Sequence, residues 1–185
     1  MLNKIQRVGV LCCGLMSFSS LPAQSQPFLE SSIGAAFHSV EVSETSSLTS
    51  VGEYVSFSAG VQAKSTLSLS MSLRLWSTED DEDQSDIDHA FLHDFHFTGI
   101  SLGVETQVFI PSLAQGPYVK LGRHCWAVDV VEVINIWDGS GCSNIAGVGW
   151  LWNPDRSYAK GMFTEITTTR FKYVDSWMLI AGVRF

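Results

Sequence analysis

Charged residues are scarce in this 185-residue chain, where they make up 16% of the sequence, against roughly 25% in an average soluble domain. This excludes a disordered polymer and a coiled coil. Although 45% of the residues are hydrophobic, no stretch beyond the N-terminus approaches the roughly 18–20 consecutive apolar residues of a membrane-spanning helix. A helical membrane protein is therefore excluded too. An apolar composition without apolar runs indicates hydrophobic residues at alternate positions.

Basic residues are fewer than acidic ones, 11 against 19. A nucleic-acid-binding protein needs basic surface to neutralise phosphates, so no nucleic-acid partner is expected. The length suits a single domain.

Residues 1–25 have the parts of a secretory signal peptide. Lys4 and Arg7 form the basic start, residues 8–15 form the apolar part, and small residues precede a cleavage site just before Gln26. A short membrane anchor is the alternative, but the apolar part is too short for one. Removing this segment leaves nine basic residues against 19 acidic ones, a net charge of −10.

Cysteine is rare as well, since Cys125 and Cys142 are the only two outside the predicted signal peptide. An even number of cysteines in an exported chain predicts a disulfide bond. In the chain-entropy account, a bond that closes a loop of this size stabilises a protein by roughly 3 kcal/mol. Two unrelated free thiols are the alternative.

Hydrophobic residues alternate with small or polar ones, which is the period of a β-strand and not of a helix. Residues 67–76 place four leucines and a methionine on one face, and three serines, Arg74 and Trp76 on the other. Residues 51–62, 99–110 and 177–185 alternate in the same way.

The polar faces of these strands distinguish a soluble sandwich from a membrane barrel. A sandwich turns its polar face to water, where lysine, glutamate and threonine are common. Here the polar faces are mostly glycine and serine. Small residues fit the crowded interior of a narrow barrel, and large aliphatic residues on the other face suit lipid. The pattern therefore favours a transmembrane barrel.

Eight segments are long enough for the roughly 9–11 tilted residues with which a strand crosses a bilayer. They are residues 28–41, 51–62, 66–77, 97–110, 117–130, 144–153, 159–171 and 175–185. Residues 63–65, 111–116 and 154–158 are predicted to be periplasmic turns, and residues 42–50, 78–96, 131–143 and 172–174 outer loops. The predicted fold is all-β: an eight-stranded up-and-down antiparallel transmembrane barrel over residues 26–185.

The second half of the chain contains an ordered set of segments that ends in phenylalanine: Pro117 to Trp126, Ala146 to Trp150, Thr164 to Ile166 and Gly182 to Phe185. This set resembles the later strands of small OmpA-like outer-membrane barrels. The resemblance implies a barrel domain without the peptidoglycan-binding domain of that family. It also implies that Phe185 is the terminal signal which the barrel assembly machinery recognises.

Strand parity places four charged residues on inward faces: Arg74, Glu105, Lys120 and Glu165. We expect them to form a charge network that closes the lumen, because eight strands leave room only for side chains. An ion-conducting polar path is the alternative.

Two clusters of potential metal ligands fall in the predicted loop 78–96. Residues 79–88 carry seven carboxylates in ten positions, a pattern typical of a solvated loop. Specific Ca²⁺ binding is the alternative, although no glycine occupies the turn position of a calcium loop. His89, His93 and His96 have a spacing that suits zinc on a helix, but a loop is expected there. No metal site is predicted.

Catalytic residues are not predicted either. Ser39 and His38 form the nearest serine–histidine pair, but adjacent residues of a strand face opposite sides. A Gly-x-Ser-x-Gly elbow is absent from the sequence.

Arg123 is unusual, because parity turns it towards lipid, where an arginine costs roughly 2–4 kcal/mol at mid-bilayer and less near the interface. Either it lies near the outer rim or a bulge shifts the register.

These features predict a protein of the bacterial outer membrane with a structural or surface-interaction role, without a cofactor. Its expected partners are outer-membrane lipid, lipopolysaccharide and, during insertion, the barrel assembly machinery. We expect a monomer. The alternative function is that of a narrow channel or a carrier for small or hydrophobic compounds.

Overall fold

The computed structural model describes residues 25–43, 46–78, 96–110, 116–131, 139–152, 160–171 and 174–185. Residues 1–24 of the predicted signal peptide, the acidic tract 79–88, His89 and His93 lie outside these ranges, so the predictions about them stay predictions. Among the described residues there is no helix long and apolar enough to cross a membrane.

Eight strands make up the described part of the chain. They are β1 (Gln26–Ser43), β2 (Ser46–Lys64), β3 (Leu67–Thr78), β4 (His96–Phe109), β5 (Gly116–Val131), β6 (Gly139–Trp152), β7 (Gly161–Phe171) and β8 (Val174–Arg184).

The strands form one closed barrel, which confirms the predicted fold. Each strand pairs antiparallel with its neighbours in sequence, and β1 pairs with β8 to close the sheet. The register of the eight strand pairs gives the stagger of the barrel. A path that starts at Leu67 and passes from each residue to its partner on the next strand returns to β3 at Ser77, ten positions further along that strand. Such a stagger requires tilted strands, and barrels tilt by about 35–45°.

The two ends of the barrel differ. Gln26, Phe185 and the two-residue turn of Ser65 and Thr66 lie at one end, which we call the turn end. The opposite end, which we call the loop end, receives the connections after β1, β3, β5 and β7.

Alternate side chains point into the barrel and away from it. Ser68, Ser70 and Ser72 of β3 face inward and are at most 3% exposed. All eight strands also turn large apolar residues outward, among them Leu29, Ile33, Phe57, Leu75, Ile100, Leu121, Val148, Ile166 and Leu179, each 40% exposed or more. Apolar surface of this extent around a closed barrel is suited to lipid, since soluble monomers rarely expose it to water.

Two of the predicted outer loops are partly strand. The loop expected over residues 42–50 is mostly strand, because β1 continues to Ser43 and β2 begins at Ser46. Similarly, β6 begins at Gly139 and not at residue 144. Gly, Ser and Asn dominate residues 139–144 and are typical of turns, but backbone pairing with β5, which starts at Val128 and Gly139, overrides that preference.

Candidate functional site: the charged interior of the barrel

Glu105 lies at the centre of a network of ion pairs inside the barrel. Its Oε1 accepts a hydrogen bond from Arg74 Nε at 2.9 Å, and its Oε2 lies 3.2 Å from Lys120 Nζ. Lys120 Nζ also lies 2.6 Å from Glu165 Oε2. All four side chains are at most 3% exposed. Arg74, Glu105, Lys120 and Glu165, the four residues of the predicted charge network, are therefore linked by direct contacts.

Two polar residues on β5 extend this central network. Nε2 of His124 lies 2.8 Å from Glu105 Oε1, and its Nδ1 lies 3.2 Å from Ser101 Oγ. Tyr118 donates a hydrogen bond from its hydroxyl to Glu165 Oε2 at 2.8 Å. His124 was not among the predicted site residues, although it shares the inward parity of Lys120.

Gly103 makes room for the His124 ring. The two residues are directly paired between β4 and β5. A Cβ atom at Gly103 would lie 2.4 Å from Cδ2 of His124 and 2.3 Å from the carbonyl oxygen of Arg123, closer than real Cβ contacts. Any larger residue there would displace the ring that hydrogen-bonds to Glu105.

A second charge network, centred on Arg184, occupies the turn end. Arg184 Nε donates to Glu30 Oε1 at 2.7 Å, and its NH1 donates to Gln62 Oε1 at 3.3 Å. NH2 also donates to Gln107 Oε1, and the guanidinium carbon lies 4.1 Å from the centre of the Phe28 ring. Arg184 thus joins side chains of β1, β2, β4 and β8 in one cluster.

Glu30 and Arg184 were not among the predicted site residues either, although the alternation of β1 and β8 turns both inward. Arg184 precedes Phe185, which parity places on the outer face, so it had to face inward. Glu30 lies between the outward Leu29 and Ser31 and is 5% exposed. The same rule that located the central network would have located this one.

Aromatic rings fill the interior on the loop side of the central network. The rings of Trp76 and Phe171 stack with centroids 4.8 Å apart, and Trp126 packs edge-on against Phe171 at 5.6 Å. All three rings are at most 4% exposed. Two layers of charges and one layer of rings therefore follow one another along the barrel axis.

The buried charges of the described residues balance. Three are positive (Arg74, Lys120 and Arg184) and three are negative (Glu30, Glu105 and Glu165). Burying ions is costly unless each finds a partner of opposite charge. Every one of the six does.

Ser101, His124 and Glu105 are connected in the order of a serine–histidine–acid triad. However, Ser101 is only 2% exposed, and Glu105 is shared with Arg74 and Lys120. A nucleophile must reach its substrate, and this hydroxyl lies in the packed interior. The other pair, His38 and Ser39, is divided between the two faces of β1: His38 is buried and Ser39 faces outward.

Cys125 and Cys142 form a disulfide bond between β5 and β6. The two residues are directly paired, with their Cα atoms 3.9 Å apart, and both face outward near the loop end. The bond therefore lies within the strands of the hairpin and fastens a part of β6 that was expected to be loop.

We expect the double variant Cys125→Ser/Cys142→Ser to lose about 3 kcal/mol of unfolding free energy, because the bond joins two residues 17 positions apart and so closes a loop in the unfolded chain. Urea titration in lipid vesicles, followed by tryptophan fluorescence, measures the loss. A reductant should destabilise the wild type equally and leave the double variant unchanged. Two titratable thiols in unreduced protein would contradict the prediction.

Arg123 lies on the outer face of β5 and is exposed. The register of β5 with β4 and with β6 runs without a shift through this residue. The alternative of a bulge is therefore wrong, and the arginine does face outward.

The closed eight-stranded barrel, its apolar outer surface and its polar, charge-paired interior define a protein of the bacterial outer membrane. No known protein family and no curated protein match the sequence.

Solved structures share the fold. Neisserial surface protein A (NspA) superposes with a TM-score of 0.60 at 15% identity, covering 86% of this chain and 97% of that one. Ail, the attachment invasion locus protein of Yersinia pestis, superposes with a TM-score of 0.52 at 17% identity, covering 86% and 99%. At these identities the similarity concerns the fold. It agrees with the resemblance to small OmpA-like barrels seen in the sequence.

Proposed function

We propose that the protein is a non-catalytic, non-conducting barrel that acts at the cell surface, in a structural or interactive role, by holding its outer loops on a rigid membrane-embedded wall. The observation that carries this proposal is the filled interior. Ion pairs around Glu105, ion pairs around Arg184 and the stacked rings around Phe171 occupy successive levels of the barrel.

The contacts of these side chains support a closed interior. A conducting path needs polar groups that are free to hydrate a passing ion, whereas the charges here are engaged with each other at hydrogen-bond distances. A barrel of eight strands has an interior just wide enough for side chains to fill. The alternative function as a carrier of hydrophobic compounds would call for an apolar lumen, which these charged layers do not offer.

The remaining parts of the proposal concern biogenesis and partners. We propose that residues 1–25 direct export and that the barrel inserts as a monomer among outer-membrane lipid and lipopolysaccharide. Phe185 would be read by the assembly machinery. Its side chain is 61% exposed, and its backbone N and O both hydrogen-bond to Leu29, so it ends the strand that closes the barrel.

Conductance in planar bilayers tests the closed lumen. We expect purified wild-type barrel to give no stable channel openings. The variant Lys120→Ala/Glu165→Ala removes one charge of each sign from the central network, so it opens space without leaving a net buried charge. Small, discrete openings are expected from it.

The matched control is Lys64→Gln, which removes an exposed charge at the turn end and should behave as wild type. Large, stable currents from the wild-type protein would overturn the proposal and favour the channel.

A further inference from the structure

A row of polar residues crosses the outer face of the barrel close to the disulfide bond. Arg123 on β5 is paired with Asn144 on β6, and Arg170 on β7 is paired with Asp175 on β8. Because Ile145 pairs with Thr169, Asn144 lies beside Arg170. The row is oblique, since the strands are staggered around the barrel, and it rises from Arg123 towards the loop end.

The two arginines in this row are placed differently. Arg170 is 62% exposed, and its Nε lies 3.5 Å from Asp175 Oδ1. Arg123 makes no ion pair with any residue that the structure describes, and its outward neighbours are Leu121 and Val104, which are 55% and 39% exposed. Arg123 is thus a cation on the lipid-facing surface of the barrel. Placing a cation there costs free energy unless an anion lies beside it.

An open recess of about 520 Å³ adjoins the upper part of the row. Asn144 and Arg170 contribute to its lining, together with Ser140, Ser143 and Trp126. It forms where β6 extends beyond β7: residues 139–144 pair with β5, whereas the pairing of β6 with β7 begins only at Ile145. In the described part of the chain, this edge of β6 therefore has a strand partner on one side only.

We propose that Arg123, Asn144 and Arg170, with the recess above them, bind the phosphorylated headgroup of a lipid in the leaflet at the loop end, an inference that rests on the proposed insertion of the barrel among outer-membrane lipid. Two strand spacings separate the arginines, about 10 Å at the backbone, so both long side chains can converge on one phosphate. Guanidinium groups suit phosphate because they donate paired hydrogen bonds. The Asn144 amide adds a donor at the same place, since Asn144 lies between the two arginines in the row.

The surroundings favour a lipid over a free anion. Leu121 and Val104 flank Arg123 on the surface that faces acyl chains, so a ligand that reaches it must be embedded in the bilayer. An arginine side chain can extend along apolar surface towards the headgroup level while its stem stays in lipid.

Native mass spectrometry tests the site, with the full barrel released from neutral detergent. Two lipid probes are compared, dioleoyl phosphatidate and dioleoylglycerol, which differ by one phosphate. We expect wild type to retain the phosphatidate at least about tenfold better, the effect of one charge-assisted hydrogen bond. Arg123→Gln and Arg170→Gln should each remove most of that preference. Arg→Lys at either position should restore part of it.

Three controls separate this site from general attraction of anions. Lys64→Gln and Lys160→Gln remove exposed cations at the turn end and should retain the phosphatidate as wild type does. Asp175→Asn removes the ion pair of Arg170 but keeps the cation, so retention should persist. Heat-dependent mobility on gels shows that each variant is folded.

Equal losses for the lysine and the arginine variants, or equal retention of the two lipids, would overturn the proposal. Displacement of the phosphatidate by millimolar inorganic phosphate would also overturn it, since the site would then take a free anion.

Discussion

Replacing Glu105 by glutamine is expected to lower the free energy of unfolding of the barrel by about 3–5 kcal/mol. The substitution keeps the shape of the side chain but removes the charge that Arg74 and Lys120 share. Both cations would remain buried. Lys120 would still pair with the carboxylate of Glu165, whereas Arg74 would lose its ion pair with Glu105. Urea titration of the folded protein in lipid vesicles measures the change.

The matched control is Glu53→Gln, which removes an exposed outward-facing carboxylate from β2. Its effect should stay within about 0.5 kcal/mol, as for most surface substitutions. A second variant, Arg74→Met/Glu105→Leu, replaces the ion pair by apolar groups and should recover part of the stability. If Glu105→Gln were no more destabilising than Glu53→Gln, the central network would not stabilise the barrel.

Arg184→Met is expected to destabilise the barrel by a similar amount, about 3–5 kcal/mol, because it leaves Glu30 buried without its partner. The loss should be concentrated where β1 meets β8. Hydrogen exchange of the Leu29 and Phe185 amides, which hydrogen-bond to each other's carbonyl oxygens, should therefore accelerate more than exchange in the middle of β5.

Lys160→Met is the natural control, because Lys160 is an exposed cation directly before Gly161, the residue that pairs with Arg184. It should change neither stability nor exchange. Arg184→Lys should give an intermediate loss, since it keeps the charge but not the planar fork of donors. Uniform acceleration of exchange over all strands after Arg184→Met would argue against a local role in closure.

Alternation explains why the fold could be predicted from the sequence. The period of two assigns each side chain to one face of its strand. It predicts that Ser68 and Arg74 face the interior of the barrel, and that Leu67 and Leu75 face outward. The same alternation places Glu30, His124 and Arg184 on inward faces, although they were not among the predicted site residues.

Contact partners could not be predicted in this way. Parity gives the face of a side chain but not its height, and the height depends on the stagger between strands. The register pairs Arg74 with Ser101 and Glu105 with Ser70, so only the three-dimensional structure shows that the two long side chains meet. It also shows that Arg184 meets Gln62 and Gln107. Strand ends were uncertain for a related reason: residues such as Gly139 carry little strand preference, and pairing with β5 decides their conformation.

The equal number of buried positive and negative charges has a consequence for how this barrel can evolve. A mutation that removes Glu105 alone leaves an excess buried cation, so it should persist only if Arg74 or Lys120 is replaced as well. Among descendants of this chain, these positions should therefore change together, and Glu30 should change together with Arg184. Outward residues such as Leu121 and Val148 carry no such constraint and should drift independently among apolar residues.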